Sequence, residues 1–245
     1  AEDAAAVSIL SGGRFDLGVG LGYRQLEFDQ FGVPLKNRPS RMEEGVEIIR
    51  RAWRGDPIRF SGRRFEVGDV AVGPVPGTAP RLLMGGMSEP AIQRAARIGD
   101  GFLSTGGIGH DLYRSALEAE GGSGGIYAGH WAIISPDPEA EARRLAPHIL
   151  YQSNTYIDWG AFGPPDEVPR FEDGETAIRE GLYESWDAET AVTELTRLLA
   201  DSPEIRDIHF WAQFPGESLE NGSRRIEYMA TKVLPRLRES LAEGR

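Results

Sequence analysis

Apolar positions change period several times along the chain, and each change marks an element. In EDAAAVSIL (2–10), Ala6, Val7 and Leu10 fall on one helical face, and Gly12 and Gly13 supply the left-handed stop that ends helices. RFDLGVG (14–20) follows at once with Phe15, Leu17 and Val19 alternating, the pattern of a short buried strand. A helix feeding a strand so directly predicts a parallel α/β unit. Residues 41–53 carry Met42, Val46, Ile49 and Trp53 at helical spacing, with Glu43, Glu44 and Glu47 outward. Over 57–72 that period gives way to two β-rich pieces around Ser61 and Gly62, predicting a hairpin excursion.

The α/β alternation then resumes. Residues 81–84 read as a strand ending at Gly85 and Gly86, Ser88 offers an N-cap, and Pro90 opens a helix carrying Ala91, Ile92, Ala95 and Ile98 inward. Residues 99–104 start the next strand, and a third unit runs from Tyr113 through the break GGSGG (121–125) to a strand at 130–135. SPDPEAEARR opens another helix. From 151 to 186 the pattern dissolves into aromatic, proline and acidic residues, predicting a lid-like segment. Residues 187–199 restore a helix with Ala191, Val192, Leu195, Leu198 and Leu199 inward, and 205–213 read as a last strand. Ile226, Met229, Val233 and Leu237 mark a final helix broken near Pro235. The expectation is a single α/β domain over residues 1–245, with barrel-type strands near residues 15, 82, 102, 132 and 209.

Composition narrows the chemistry. With 40% hydrophobic residues, no apolar run able to span a bilayer and no signal-like segment, the chain reads as cytoplasmic. A net charge of -11 opposes nucleic-acid binding, and Arg50-Arg51 and Arg224-Arg225 are too short to reverse that. The absence of cysteine excludes a disulfide, a thiolate nucleophile and an iron-sulfur cluster. His110, His130, His148 and His209 lack ligand spacing, so no metal is expected.

The stretch SGGRFDLGVGLGY (11–23) decides between two folds. A dinucleotide cradle needs G-x-G-x-x-G between a strand and a helix, whereas Gly18, Gly20 and Gly22 are spaced G-x-G-x-G with no amphipathic helix immediately after. The end of a barrel strand, where glycine lets backbone approach a flat ring or a phosphate, fits better. This stretch, the EFDQFGVP that follows (27–34), the helix RMEEGVEIIRRAW and the run from Gly85 to Gly101 together resemble the bacterial luciferase-like flavin monooxygenase superfamily in order and spacing. The resemblance implies a (β/α)8 TIM barrel that binds reduced flavin mononucleotide (FMN) or the deazaflavin coenzyme F420. It further implies hydride transfer or oxygenation of a small organic substrate. It places SGGR before the fourth strand, so the barrel is expected to be incomplete here, without its first three βα units. Those units could be missing from the sequence as given, be supplied by another chain, or be absent by nature. Open sheet edges predict a homo-oligomer, a dimer first. The alternative function is a non-catalytic flavin-binding or structural subunit.

The resemblance puts the cofactor against Gly20, Leu21 and Gly22 and against Gly85, Gly86, Met87 and Ser88. Ser88 is the sharpest candidate, because a hydroxyl at a helix N-terminus beside free amides suits a phosphate; the plain alternative is that it only caps its own helix. Several family members carry an arginine where this chain has Leu21, and Arg24 lies three residues on. Tyr156, Trp159, Trp211 and Gln213 are the substrate-side candidates, with core or lid packing as the other reading of the aromatics. Asn154 and His110 could donate hydrogen bonds. The acidic loop 165–175 reads as solvated surface. No catalytic residue is assigned, since the cofactor carries the redox chemistry.

Overall fold

The structure, a computed structural model, describes residues 1–181 and 183–243. The chain divides into two compact units, Ala1–Ala128 and Gly129–Arg245. The first unit runs α1 (Glu2–Leu10), β1 (Leu17–Val19), α2 (Gln25–Gln30), α3 (Arg38–Arg54), the hairpin β2 (Ile58–Ser61) and β3 (Glu66–Val70), β4 (Leu82–Gly85), α4 (Glu89–Ile98), β5 (Gly101–Ser104) and α5 (His110–Ala119), and enters β6 (Gly125–His130). Its strands lie in the order β1-β4-β5-β6, all parallel, with Val19 opposite Met84, Gly85 opposite Leu103 and Ser104 opposite Ala128. Parallel register sends every strand's C-terminal end to one edge of the sheet.

Val46 and Trp53 of α3 bury with Leu82 of β4 and Ala4 and Ala5 of α1, and Phe15, Leu17 and Val19 pack against that cluster. The inward face of α1 differs from expectation: Ala4, Ala5 and Ser8 are buried, while Val7 and Leu10 face out. The helix is apolar on all sides, so period alone does not select a face, and close approach to α3 and β4 favours the small residues.

The strand expected at 130–135 is present as β7 (Ala132–Ile134), and a strand that the reading missed precedes it, β6, which starts at the last residue of the glycine break. Packing demands those glycines: a side chain on Gly124 would collide with the Tyr113 hydroxyl, and one on Gly101 with Tyr127 and Leu83.

The second unit continues through α6 (Pro138–Asp158), α7 (Gly174–Glu180), β8 (Glu184–Trp186), α8 (Ala188–Asp201), β9 (Ile205–Phe210), α9 (Leu219–Tyr228), a π-helical turn (Met229–Val233) and α10 (Leu234–Glu243). β7 and β8 pair in parallel. One cluster joins Ile134, Trp186, Leu195, Val233 and Leu237; another joins Ile133, Leu145, Ile149, Tyr183 and Phe214.

Half of the segment read as lid-like lies in regular elements, and residues 159–173 form a connecting loop. Its first part completes α6, and α7 and β8 follow. Gln152, Ser153 and Asn154 occupy the buried side of α6, which erases the apolar stripe a helix would otherwise display. Asn154 clasps the connecting loop through two bonds, donating to the Phe171 carbonyl at 3.0 Å and accepting from the Phe171 amide at 2.9 Å. The last strand ends at Phe210, before Gln213, and Ile226 lies exposed rather than inward.

Candidate functional site

Adjacent pairing of β1 and β4 makes the segments 20–22 and 86–88 leave the sheet side by side. The cofactor-side candidates therefore share one edge. Gly85 closes β4, and a side chain on Gly86 would collide with Ala91, so glycine there lets α4 start hard against the strand end. Gly20 is exposed, with no atom within 4 Å of where a Cβ would stand, which leaves its backbone open to a flat ligand. Gly22 has φ +75°, a conformation that favours glycine, and its carbonyl accepts from Arg38 Nη1 at 3.0 Å.

Ser88 is the N-cap of α4, with extended backbone at φ -91° and ψ 150°, and Pro90 stands in the first turn. Its carbonyl accepts from the amides of Ala91 and Ile92 at 2.9 and 3.0 Å, yet its side chain makes no capping bond to the helix. Asp137, Asp173, Asp187 and Ser218 hold the same position on other helices, and each uses its side chain to cap. The plain reading of Ser88 as a cap is thus not what its hydroxyl does. The exposed Ser88 hydroxyl and the N-terminal end of the α4 dipole meet at the strand edge, an arrangement that suits an anion.

Of another part of this edge the sequence reading named only His110, as a hydrogen-bond donor. β5 ends at Ser104, whose fully buried Oγ lies 2.9 Å from Nε2 of His110, the first residue of α5. His110 is itself buried and not a solvated loop residue. Gly106, Gly107 and Gly109 between them all have positive φ, and a side chain on Gly109 would collide with Ile92. The signal was legible: STGGIGH is a glycine-rich run directly after a strand, the same pattern that drew attention to residues 18–22.

Arg24, three residues after Leu21, has Glu27 at 3.4 Å. The substrate-side candidates fall in two places in the second unit. Tyr156 and Trp159 form an edge-to-face pair 6.1 Å apart at the end of α6. Trp211 and Gln213 lie on the connection after β9; Trp211 lines a cavity of about 250 Å³ with Phe210, Ala212 and Met229. Gln213 donates to the Glu217 carbonyl at 3.0 Å, a bond that shapes its own loop.

Beside that cavity lies the most strongly charged buried cluster. The Glu217 side chain is fully enclosed and pairs with Arg225 and Arg144 at 2.5 Å each; Glu141 meets the same two arginines at 2.6 Å. Burial pushes Glu217 up, but the bonds from Arg225 and Arg144 outweigh it and hold the carboxyl at about 2. Two carboxylates and two guanidiniums balance, which marks the cluster as structural. Among the described residues no group of three His, Asp or Glu side chains is arranged to hold a metal, and no helix is long and apolar enough to cross a membrane.

The chain is 35% identical over 127 residues to an F420-dependent glucose-6-phosphate dehydrogenase from Mycobacterium avium, covering 48% of this chain and 36% of that protein. It is 28% identical over 192 residues to a 5,10-methylenetetrahydromethanopterin reductase from Archaeoglobus fulgidus, covering 74% of this chain and 56% of that one. The chain thus spans between about a third and just over half of the length of these curated relatives. In three dimensions it matches the monooxygenase RslO1 from Streptomyces bottropensis with a TM-score of 0.74 at 21% identity, over 95% of this chain and 71% of the other. That likeness establishes the luciferase-like TIM-barrel fold. Residues 1–200 match the luciferase-like monooxygenase family, and the chain belongs to it.

Proposed function

We propose that this chain serves a flavin- or F420-dependent oxidoreductase that acts on a small organic substrate, with both units forming one luciferase-like barrel domain. The observation that carries the reading is the Ser88 hydroxyl, left out of its own helix cap at the end of the sheet where β1 also leaves it through the open backbone of Gly20. Relatives named for F420 dependence and a structural neighbour named as a monooxygenase support the same class.

The residues present fit the anionic end of such a cofactor. Ser88 and the first amides of α4 would hold a phosphate, and Gly85, Gly86 and Met87 would let the tail pass close to the backbone. Gly20, Leu21 and Gly22 would border the cofactor from β1. The reduced cofactor, when bound, supplies the hydride or activates oxygen. The chain orients it and excludes water. Tyr156, Trp159, Trp211 and Gln213 remain our candidates for the substrate side, and a homodimer our expectation for assembly in the cytoplasm.

The test is a titration of the purified protein with FMN and with F420, followed by absorbance. The Ser88→Ala variant is expected to weaken binding of the accepted cofactor by about tenfold, the loss of one charge-assisted bond of ~1.4 kcal/mol. Its melting temperature should stay put, because no cap bond is lost. Unchanged affinity would remove Ser88 from the site, and failure of both cofactors to bind wild-type protein would overturn the reading as a whole.

A further inference from the structure

β5 lies inside the sheet, flanked by β4 and β6, and two of its side chains meet two side chains of α5. Phe102 and Ser104 alternate onto one face of the strand, and His110 and Tyr113, three residues apart, share one face of the helix. Phe102 stacks on Tyr113 with ring centres 5.1 Å apart, and the Ser104 hydroxyl meets the His110 ring at 2.9 Å. We propose that His110 is a positioning residue for the cofactor site proposed above, on whose existence this role rests: through Ser104 it pins the loop 105–109 against the first turn of α4 and so fixes the place of Ser88.

The loop needs such a pin. Gly106, Gly107 and Gly109 make up three of its five residues, with φ of +60°, +71° and +83°, and glycine gives up more conformational freedom on ordering than any other residue. Gly109 is the N-cap of α5 and has no side chain with which to cap it. The Ile108 amide donates to the Thr105 carbonyl at 3.1 Å, a bond that closes a turn within the loop and ties it to nothing outside. The Ser104–His110 contact joins the residue before the loop to the residue after it, and thus sets the span of the loop directly. Both partners are buried. Apolar packing resists separation without fixing an angle, whereas a hydrogen bond fixes both distance and angle, and its loss in the interior leaves a polar group unsatisfied.

Packed atoms carry the effect to Ser88. Gly109 is seated against the Ile92 side chain, which is itself buried. The Ile92 amide donates to the Ser88 carbonyl at 3.0 Å, and the Ala91 amide donates to the same carbonyl at 2.9 Å. Gly86, at the end of β4, is seated in turn against Ala91. The first turn of α4 is therefore gripped between the end of β4 and the loop after β5. A loop that drifts releases Ile92, and the turn that presents Ser88 drifts with it.

Two measurements on the intact chain test this role. In cofactor-free protein, Ser104→Ala and His110→Phe, which keeps a ring but removes its nitrogens, are each expected to lower the hydrogen-exchange protection of the Ala91 and Ile92 amides while the Ile126 and Ala128 amides keep theirs. Unchanged protection at 91 and 92 would overturn the proposal. In absorbance titrations with FMN and F420, each variant should weaken binding of the accepted cofactor about fivefold, corresponding to ~1 kcal/mol. The double variant should bind no more weakly than either single one, because all three lose the same bond. His110→Gln, whose side chain ends in an amide, should recover most of the affinity. Losses that add in the double variant, or a lower melting temperature with affinity intact, would take this role from His110 and leave the Ser88 site standing. Failure of the wild type to bind either cofactor would remove the site and this role together.

Discussion

Glu44 looks like one of three outward acids on an amphipathic helix, but its carboxylate holds the tip of the β2–β3 hairpin through three amides at 2.8 to 3.0 Å. Gly62 follows from that contact, since a side chain there would collide with the carboxylate. Burial acts to raise the Glu44 pKa, and the three backbone bonds outweigh it, leaving it below the ordinary 4.5. A depressed carboxylate contributes its stability above its unfolded pKa and loses it as pH falls through the folded value. Protection of the 63–65 amides against hydrogen exchange, taken relative to the intrinsic rate at each pH, is therefore expected to fall below pH 4.5, and to be low in Glu44→Ala at neutral pH. Slow exchange in that variant would show that the tip is held by something else. At the same scale Ser88 and Asn154 diverge: both are polar candidates in the sequence, but Asn154 is consumed by Phe171, whereas the Ser88 hydroxyl is not used by its helix.

Among the elements, the closing helix was legible in outline and not in form. Pro235 lacks an N–H and crowds the preceding turn, so a break near it was expected. The chain instead widens to a π turn at Met229–Val233 and resumes as α10, which keeps Val233 and Leu237 in one buried cluster. α9 is fastened by Arg225 in the ion cluster with Glu217, Glu141 and Arg144. Glu217→Gln is expected to destabilise the fold by about 3 kcal/mol, because it leaves buried guanidinium charge under-compensated. In the wild type the Glu217 contribution is complete above pH 4.5 and is lost as pH falls toward about 2. Thermal melts across that window should show stability falling with pH, more steeply in wild type than in Glu217→Gln; parallel curves would disprove the assignment.

For the whole molecule, β1 stands at one end of the described sheet order, beside β4. The homodimer proposed above is tested by light scattering at high protein concentration, which is expected to report twice the chain mass of 26.9 kDa. A particle of single-chain mass at every concentration would refute it. The net charge of -11 adds long-range repulsion between copies, so the dimer should tighten as salt screens it.

The sequence by itself determined the α/β alternation, the hairpin, the family and the strand ends at which the cofactor candidates lie, because apolar period, glycine stops and cap residues act locally. It misjudged the inward face of α1, the strand at Gly125–His130 and the helix end hidden by Gln152, Ser153 and Asn154. There burial is set by what packs opposite. Only the tertiary structure could decide that Ser88 withholds its hydroxyl, that Ser104 meets His110, and that Gly109 is seated against Ile92. Those facts depend on distances between segments far apart in the chain, which no local pattern encodes.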